Sequence, residues 1–157
     1  AARILCSWRA WEAVRGRTGW GALRRRIPPS LLPDDLSARL HLLPDPDGAS
    51  MGSLGPTLDL FGDGAVRVVS LPGHAKGHLG AVVRTADHGD VVLCGDACWT
   101  GASLVPGGCT GMHRMVAQDP AAQTETYRRL EAFRLERPDV PLIPTHCRDA
   151  FDALGED

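Results

Sequence analysis

The sequence predicts a layered α/β domain, on three observations. Short valine-rich runs, "AVRVVS", "LGAVVRT" and "DVVLC", follow one another between glycine and aspartate turns, as paired strands do. One longer segment, "DPAAQTETYRRLEAFRLERP", carries a helix-start signal at one end and a helix-stop signal at the other. A further apolar run, "VPLIPT", follows that helix, so strands and helix alternate. With 157 residues, 43% apolar and 23% charged, the chain can bury one core and has an ordinary globular balance.

Taken in order, "ARILC" reads as a short strand, and Ser7 is placed to cap a helix with Trp8, Trp11 and Val14 on one face. "WGALRRR" is expected to add a further turn. Residues 27–57 hold six prolines and one short helical stretch, "PDDLSARL", and are expected to form a long loop or lid. "TLDLF" and "VRVVSL" form a hairpin with Asp63-Gly64 at its tip. "GHLGAVVRT" and "GDVVLCGD" form a second pair, turning at His88-Gly89. Residues 100–118 read as a glycine-rich loop. Asp119 caps the long helix, Pro120 occupies its first position and Pro138 lies just past its end. "VPLIPT" is a last strand and "CRDAFDALG" a closing helix, making one domain over 1–157.

Composition narrows the function. A net charge of −2 argues against general affinity for nucleic acid or membrane, and no apolar run approaches the ~20 residues of a membrane span. Five cysteines, an odd number at low density, point to a reducing compartment, the cytoplasm. The first 26 residues carry seven arginines against Glu12 alone, with Trp8, Trp11 and Trp20 among them. Such a segment could meet nucleic acid, but a solvated helix face is the simpler account. As a wall beside a pocket, it would attract an anionic small-molecule substrate.

"LPGHAKGHLG" holds two histidines four apart, yet Pro72, Gly73, Gly77 and Gly80 oppose a helix. His74 and His78 therefore sit in a connection between strands. Asp96 follows the strand "DVVLCG", and His146 follows "VPLIPT". Imidazole and carboxylate beyond strand ends are the donor set of zinc and similar ions, where layered α/β proteins gather their chemistry. Singly, each residue has an ordinary structural role open to it, as a loop histidine or a turn aspartate. Jointly, three such positions beside glycine or proline favour a metal site.

"LPGHAKGHLG", "VVLCGDACW" and "LIPTHC", in this order over roughly residues 58–150, resemble the later motifs of the metallo-β-lactamase fold hydrolases, in their lactonase and glyoxalase II-like branch. The resemblance implies an αββα sandwich, here incomplete at its N-terminus, with residues 1–26 similar to the strand and helix after the family's first metal motif. It implies two zinc ions and a metal-bridging hydroxide that hydrolyses an ester, lactone or thioester. By the same resemblance His78 binds the first ion, Asp96 bridges both and His146 binds the second, while His74 supports them from behind. His78→Ala would then remove metal, and His74→Ala would cost less.

The family's HxHxDH motif, source of the remaining donors, is absent from these 157 residues. The expectation is a chain truncated ahead of Ala1, with the motif encoded upstream and this portion inactive alone. Trp99 stands where some lactonases of the family have a tyrosine. Two rivals remain open: a nuclease of the same fold, and a binding module without metals. Cys94, Cys98 and Cys147 flank the candidate ligands but lack the second pair of a cysteine zinc site, so buried hydrophobes are the expectation. His41, His88 and His113 are expected at the surface.

Overall fold

The computed structural model describes residues 2–15, 32–104 and 111–155, without the side chains of His113 and Arg114. Contacts divide the chain into two compact units, Ala1–Asp45 and Pro46–Asp157. In the first, β1 (Ile4–Ser7) runs into α1 (Trp8–Val14), and the Ser7 hydroxyl accepts the Arg9 N–H at 3.1 Å as the expected cap. The short helix α2 (Leu36–Arg39) leads into β2 (Leu40–Leu43), which pairs parallel to β1 with Leu40 opposite Ile4. Arg9 lies over the Trp8 ring and forks onto the Asp45 carboxylate at 2.6 and 2.7 Å. The turn expected in "WGALRRR" lies outside the described residues.

The second unit is built on a five-stranded sheet in sequence order. Its strands are β3 (Thr57–Asp59), β4 (Val66–Ser70), β5 (Leu79–Thr85), β6 (Gly89–Gly95) and β7 (Leu142–Pro144). The first four alternate antiparallel, and β7 joins β6 in parallel. The β3–β4 turn closes because the Asp59 carboxylate accepts N–H groups from Phe61, Gly62 and Gly64. Within residues 32–57 the expected short helix is α2, while β2 and a 3-10 turn at Gly52–Leu54 add regular structure where the sequence predicts a loop. The 100–118 loop likewise contains the helix α3 (Gly111–Val116), despite its glycines.

The long helix is α4 (Pro120–Glu136), with the Asp119 carboxylate accepting the N–H groups of Ala121 and Ala122. Gln123, Thr126, Tyr127, Leu130 and Phe133 are its buried residues, three or four apart along one face. Tyr127, Leu130 and Phe133 join Val69, Leu71, Val82, Val92, Cys94 and Leu142 in the core. The opposite sheet face carries Val68, Ala81, Leu93 and Ile143 in register, with Leu93 44% exposed. The chain's closing helix is α5 (Arg148–Asp152). No helix among the described residues is long and apolar enough to cross a membrane.

Arg129 clips α4 to the neighbouring loop and sheet. It donates to the carbonyls of Ser53 (3.2 Å), Leu54 and Ser70 (3.1 Å). Arg129→Met is expected to lower stability by about 2–3 kcal/mol, because carbonyls lose a charged donor. The urea unfolding midpoint measures this.

Candidate functional site

Asp96 and His146 stand just beyond the ends of β6 and β7, and His78 immediately precedes β5. Residues 71–78 connect β4 to β5, and the Leu71 N–H donates to the His78 carbonyl at 3.0 Å, closing the connection at its base. Gly73 has φ +132°, and a Cβ there would overlap the Gln123 backbone, so only glycine lets the loop lie on α4. The Asp119 N–H donates to the Gly73 carbonyl (3.0 Å) and the Gln118 N–H to that of His74 (3.1 Å). The Gln118 side-chain carbonyl accepts the Lys76 N–H at 3.1 Å. The part of the loop that carries His74 is thus pinned to the start of the long helix.

Asp96 follows β6 through Gly95 and a tight turn in which the Ala97 N–H donates to the Cys94 carbonyl at 3.2 Å. The Thr145 N–H donates to the Gly95 carbonyl (3.2 Å), which draws the end of β7 and His146 toward Asp96. Gly101 N–H meets the Cys147 sulfur at 3.4 Å, tying the same two loops again.

His74 Nε2 lies 3.5 Å from Asp96 Oδ2, and His146 Nε2 lies 3.2 Å from Asp96 Oδ1. One imidazole thus faces each carboxylate oxygen. Oδ1 is buried and, for all its closeness to His146, makes no hydrogen bond among the described residues. His146 is the most exposed of the three, and Trp99 meets it edge-on, ring centroids 6.3 Å apart. Beside His146, an open cleft of about 590 Å³ is lined by Leu93, Ile143, Pro144 and Phe151, with Arg148 the one cation among its described lining residues.

The sequence expectation puts His78 on the ion and His74 behind it. In the structure the imidazole facing Asp96 is that of His74, while His78 stands at the loop base against Gly95. A Cβ at Gly95 would come within 3.0 Å of the His78 ring. The His78 Nδ1 is buried with no hydrogen-bond partner among the described residues, and burial, reinforced by His74 and opposed by the charge of Asp96, pushes its pKa down. The two rings meet edge-on at 6.1 Å. The cause lies in the backbone. The bond from Leu71 holds His78 at the strand ends, whereas His74 is carried out over the α4 terminus.

Cys94 and Cys98 are fully buried free thiols in the core. Their mutual hydrogen bond and burial push the Cys94 pKa well up, so it stays a neutral thiol. His41 is exposed, His88 Nε2 lies 2.9 Å from the Leu154 carbonyl oxygen, and the His113 side chain lies outside the described residues.

Two donors bonded to one tetrahedral zinc at 2.0–2.1 Å lie about 3.3 Å apart. The His74–Asp96 and His146–Asp96 pairs match this spacing, and a carboxylate with one imidazole per oxygen suits a bridge between two ions. The residues fit such ions in donor type and pair spacing. They fall short in number. Among the described residues no group of three or more His, Cys, Asp or Glu is arranged to hold an ion. A catalytic zinc takes three protein ligands, so each pair requires further donors.

No protein-family profile matches the chain, and comparison with curated proteins finds no match. Solved structures do match. An N-acyl homoserine lactone hydrolase with N-hexanoyl-L-homoserine bound at its catalytic metal centre aligns with TM-score 0.61 and 14% identity. That alignment covers 96% of this chain and 49% of the hydrolase. A mutant of B. thuringiensis AiiA, with N-decanoyl-L-homoserine bound at its active site, gives the same four values. A quorum-quenching N-acyl homoserine lactone lactonase aligns at TM-score 0.58 and 15% identity, covering 96% of this chain and 51% of the lactonase. The chain therefore has the metallo-β-lactamase fold of these hydrolases and spans about half their length.

Proposed function

We propose that the complete protein is a metal-dependent hydrolase of a small-molecule ester, lactone or thioester. The observation that carries this reading is Asp96 with His74 at one oxygen and His146 at the other, on a fold shared with lactone hydrolases. His74 and Asp96 would hold one divalent ion, Asp96 and His146 a second, and zinc suits these donors. When bound, such ions supply a Lewis acid and a hydroxide nucleophile at neutral pH. His78 would steady His74 from behind without binding metal. The negative charge of Asp96 would offset part of the ionic charge, and Trp99 would orient the His146 ring. The cleft beside His146 offers apolar walls to an acyl group, and Arg148 offers a cation to an anionic one. The donors that each pair lacks would come from outside the described residues.

The test is a panel of lactones, carboxylic esters and thioesters set against a chromogenic phosphodiester, with the complete protein and zinc. Turnover is expected on the carboxylic panel. Phosphodiester cleavage with no acyl turnover would favour the nuclease of the same fold, and no turnover with no bound metal would favour a binding module.

A further inference from the structure

Gln123 is an amide in the core. It is 2% exposed on the buried face of α4, where an apolar side chain would avoid the penalty of a buried polar group. Its Nε2 donates to the carbonyl of Ala97, the residue after Asp96, at 2.6 Å. Its Oε1 is buried with no hydrogen-bond partner among the described residues. The backbone of the same residue is the surface on which Gly73, the neighbour of His74, lies without room for a Cβ. Gln123 thus touches two of the three loops that bring a donor to the site, that of Asp96 by hydrogen bond and that of His74 by packing. Thr126, one turn further along, is equally buried and donates to the Pro72 carbonyl at 2.6 Å, contacting the start of the histidine loop alone.

We propose that Gln123 is a positioning residue, which fixes the spacing between Asp96 and His74 and so sets the affinity of the site for a divalent ion. The proposal rests on the metal-hydrolase reading above. The Ala97 carbonyl is one residue from the Asp96 carboxylate, so releasing it frees the turn that aims Oδ2 at His74. The half-satisfied amide destabilises the core, yet it holds that turn where a hydrocarbon side chain could not.

The test uses the complete protein and measures the zinc dissociation constant by competition with a chromogenic chelator, beside the urea midpoint. Gln123→Met keeps length but loses the donor, and Gln123→Asn keeps the amide but falls short of Ala97. Both are expected to weaken zinc binding roughly tenfold or more, in the range seen when a residue orienting a ligand is removed. Thr126→Val is expected to lower the urea midpoint comparably while changing zinc affinity less than about threefold, well under that range. Unchanged affinity in the Gln123 variants, or an equal loss in Thr126→Val, would overturn the proposal and leave Gln123 a core residue only. If the unmutated protein bound no zinc, both the reading and this inference would fall. Zinc bound with equal affinity by all variants would remove the inference alone.

Discussion

Asp96→Asn in the complete protein is expected to abolish bound metal and to lower ester or lactone turnover by on the order of 10³-fold or more. The substitution preserves size but removes the negative charge and replaces one oxygen by a donor. Each Asp96 oxygen faces an imidazole nitrogen, so an NH₂ on either side spoils one pair. Metal assistance is worth several kcal/mol of barrier, and each 1.36 kcal/mol is about tenfold. Stability should move little, because the carboxylate is about one-third exposed and Oδ1 has no hydrogen bond to lose among the described residues. Metal content, kcat/KM and the unfolding midpoint, measured on one preparation, separate these effects. Turnover within tenfold of the unmutated protein, with metal retained, would show that Asp96 is not the bridge.

The two histidines of the 71–78 loop should differ, in the order set by geometry. His74→Ala removes the imidazole facing Asp96 and is expected to weaken metal binding by more than about 100-fold. His78→Ala removes a buried neutral ring behind it and should cost roughly 10–100-fold, as for a group that orients a ligand. His78→Ala should also lose more stability, since it empties the space against Gly95. Chelator competition and urea unfolding on both variants decide the matter. The reverse order of metal loss would restore the assignment drawn from motif resemblance, with His78 as ligand.

Local signals made much of this fold readable. Asp119-Pro120 and Pro138 bracket α4 because caps and prolines act within a turn of where they stand. The Asp63-Gly64 turn and the valine alternation of β4, β5 and β6 likewise depend on neighbours. β2 was hidden because its partner β1 lies some 36 residues away, and Leu40–Leu43 sits among prolines that mark loops. The positions of Asp96 and His146 followed from strand ends. That the His74 ring comes within 3.5 Å of Asp96 is a choice made by the backbone and not by spacing. That choice depends on a backbone bond from Leu71 and on Gly73 resting against Gln123, and neither leaves a mark in residue spacing. Gln123 carries only a faint signal, a polar residue at helical spacing from Tyr127 and Leu130.

In the proposed function, His74, Asp96 and His146 form part of a metal centre completed by donors from outside the described residues. The most direct test is a zinc titration of the 157-residue chain by chelator competition, with lactone hydrolysis followed in the same samples. Two protein donors per ion leave the rest of each coordination sphere to water. Binding weaker than about 1 μM, or about 8 kcal/mol, is therefore expected, further weakened by Asp96→Asn, with no turnover. Tight stoichiometric zinc with lactone turnover in this chain would contradict this reading, since the 157 residues would then hold a complete site.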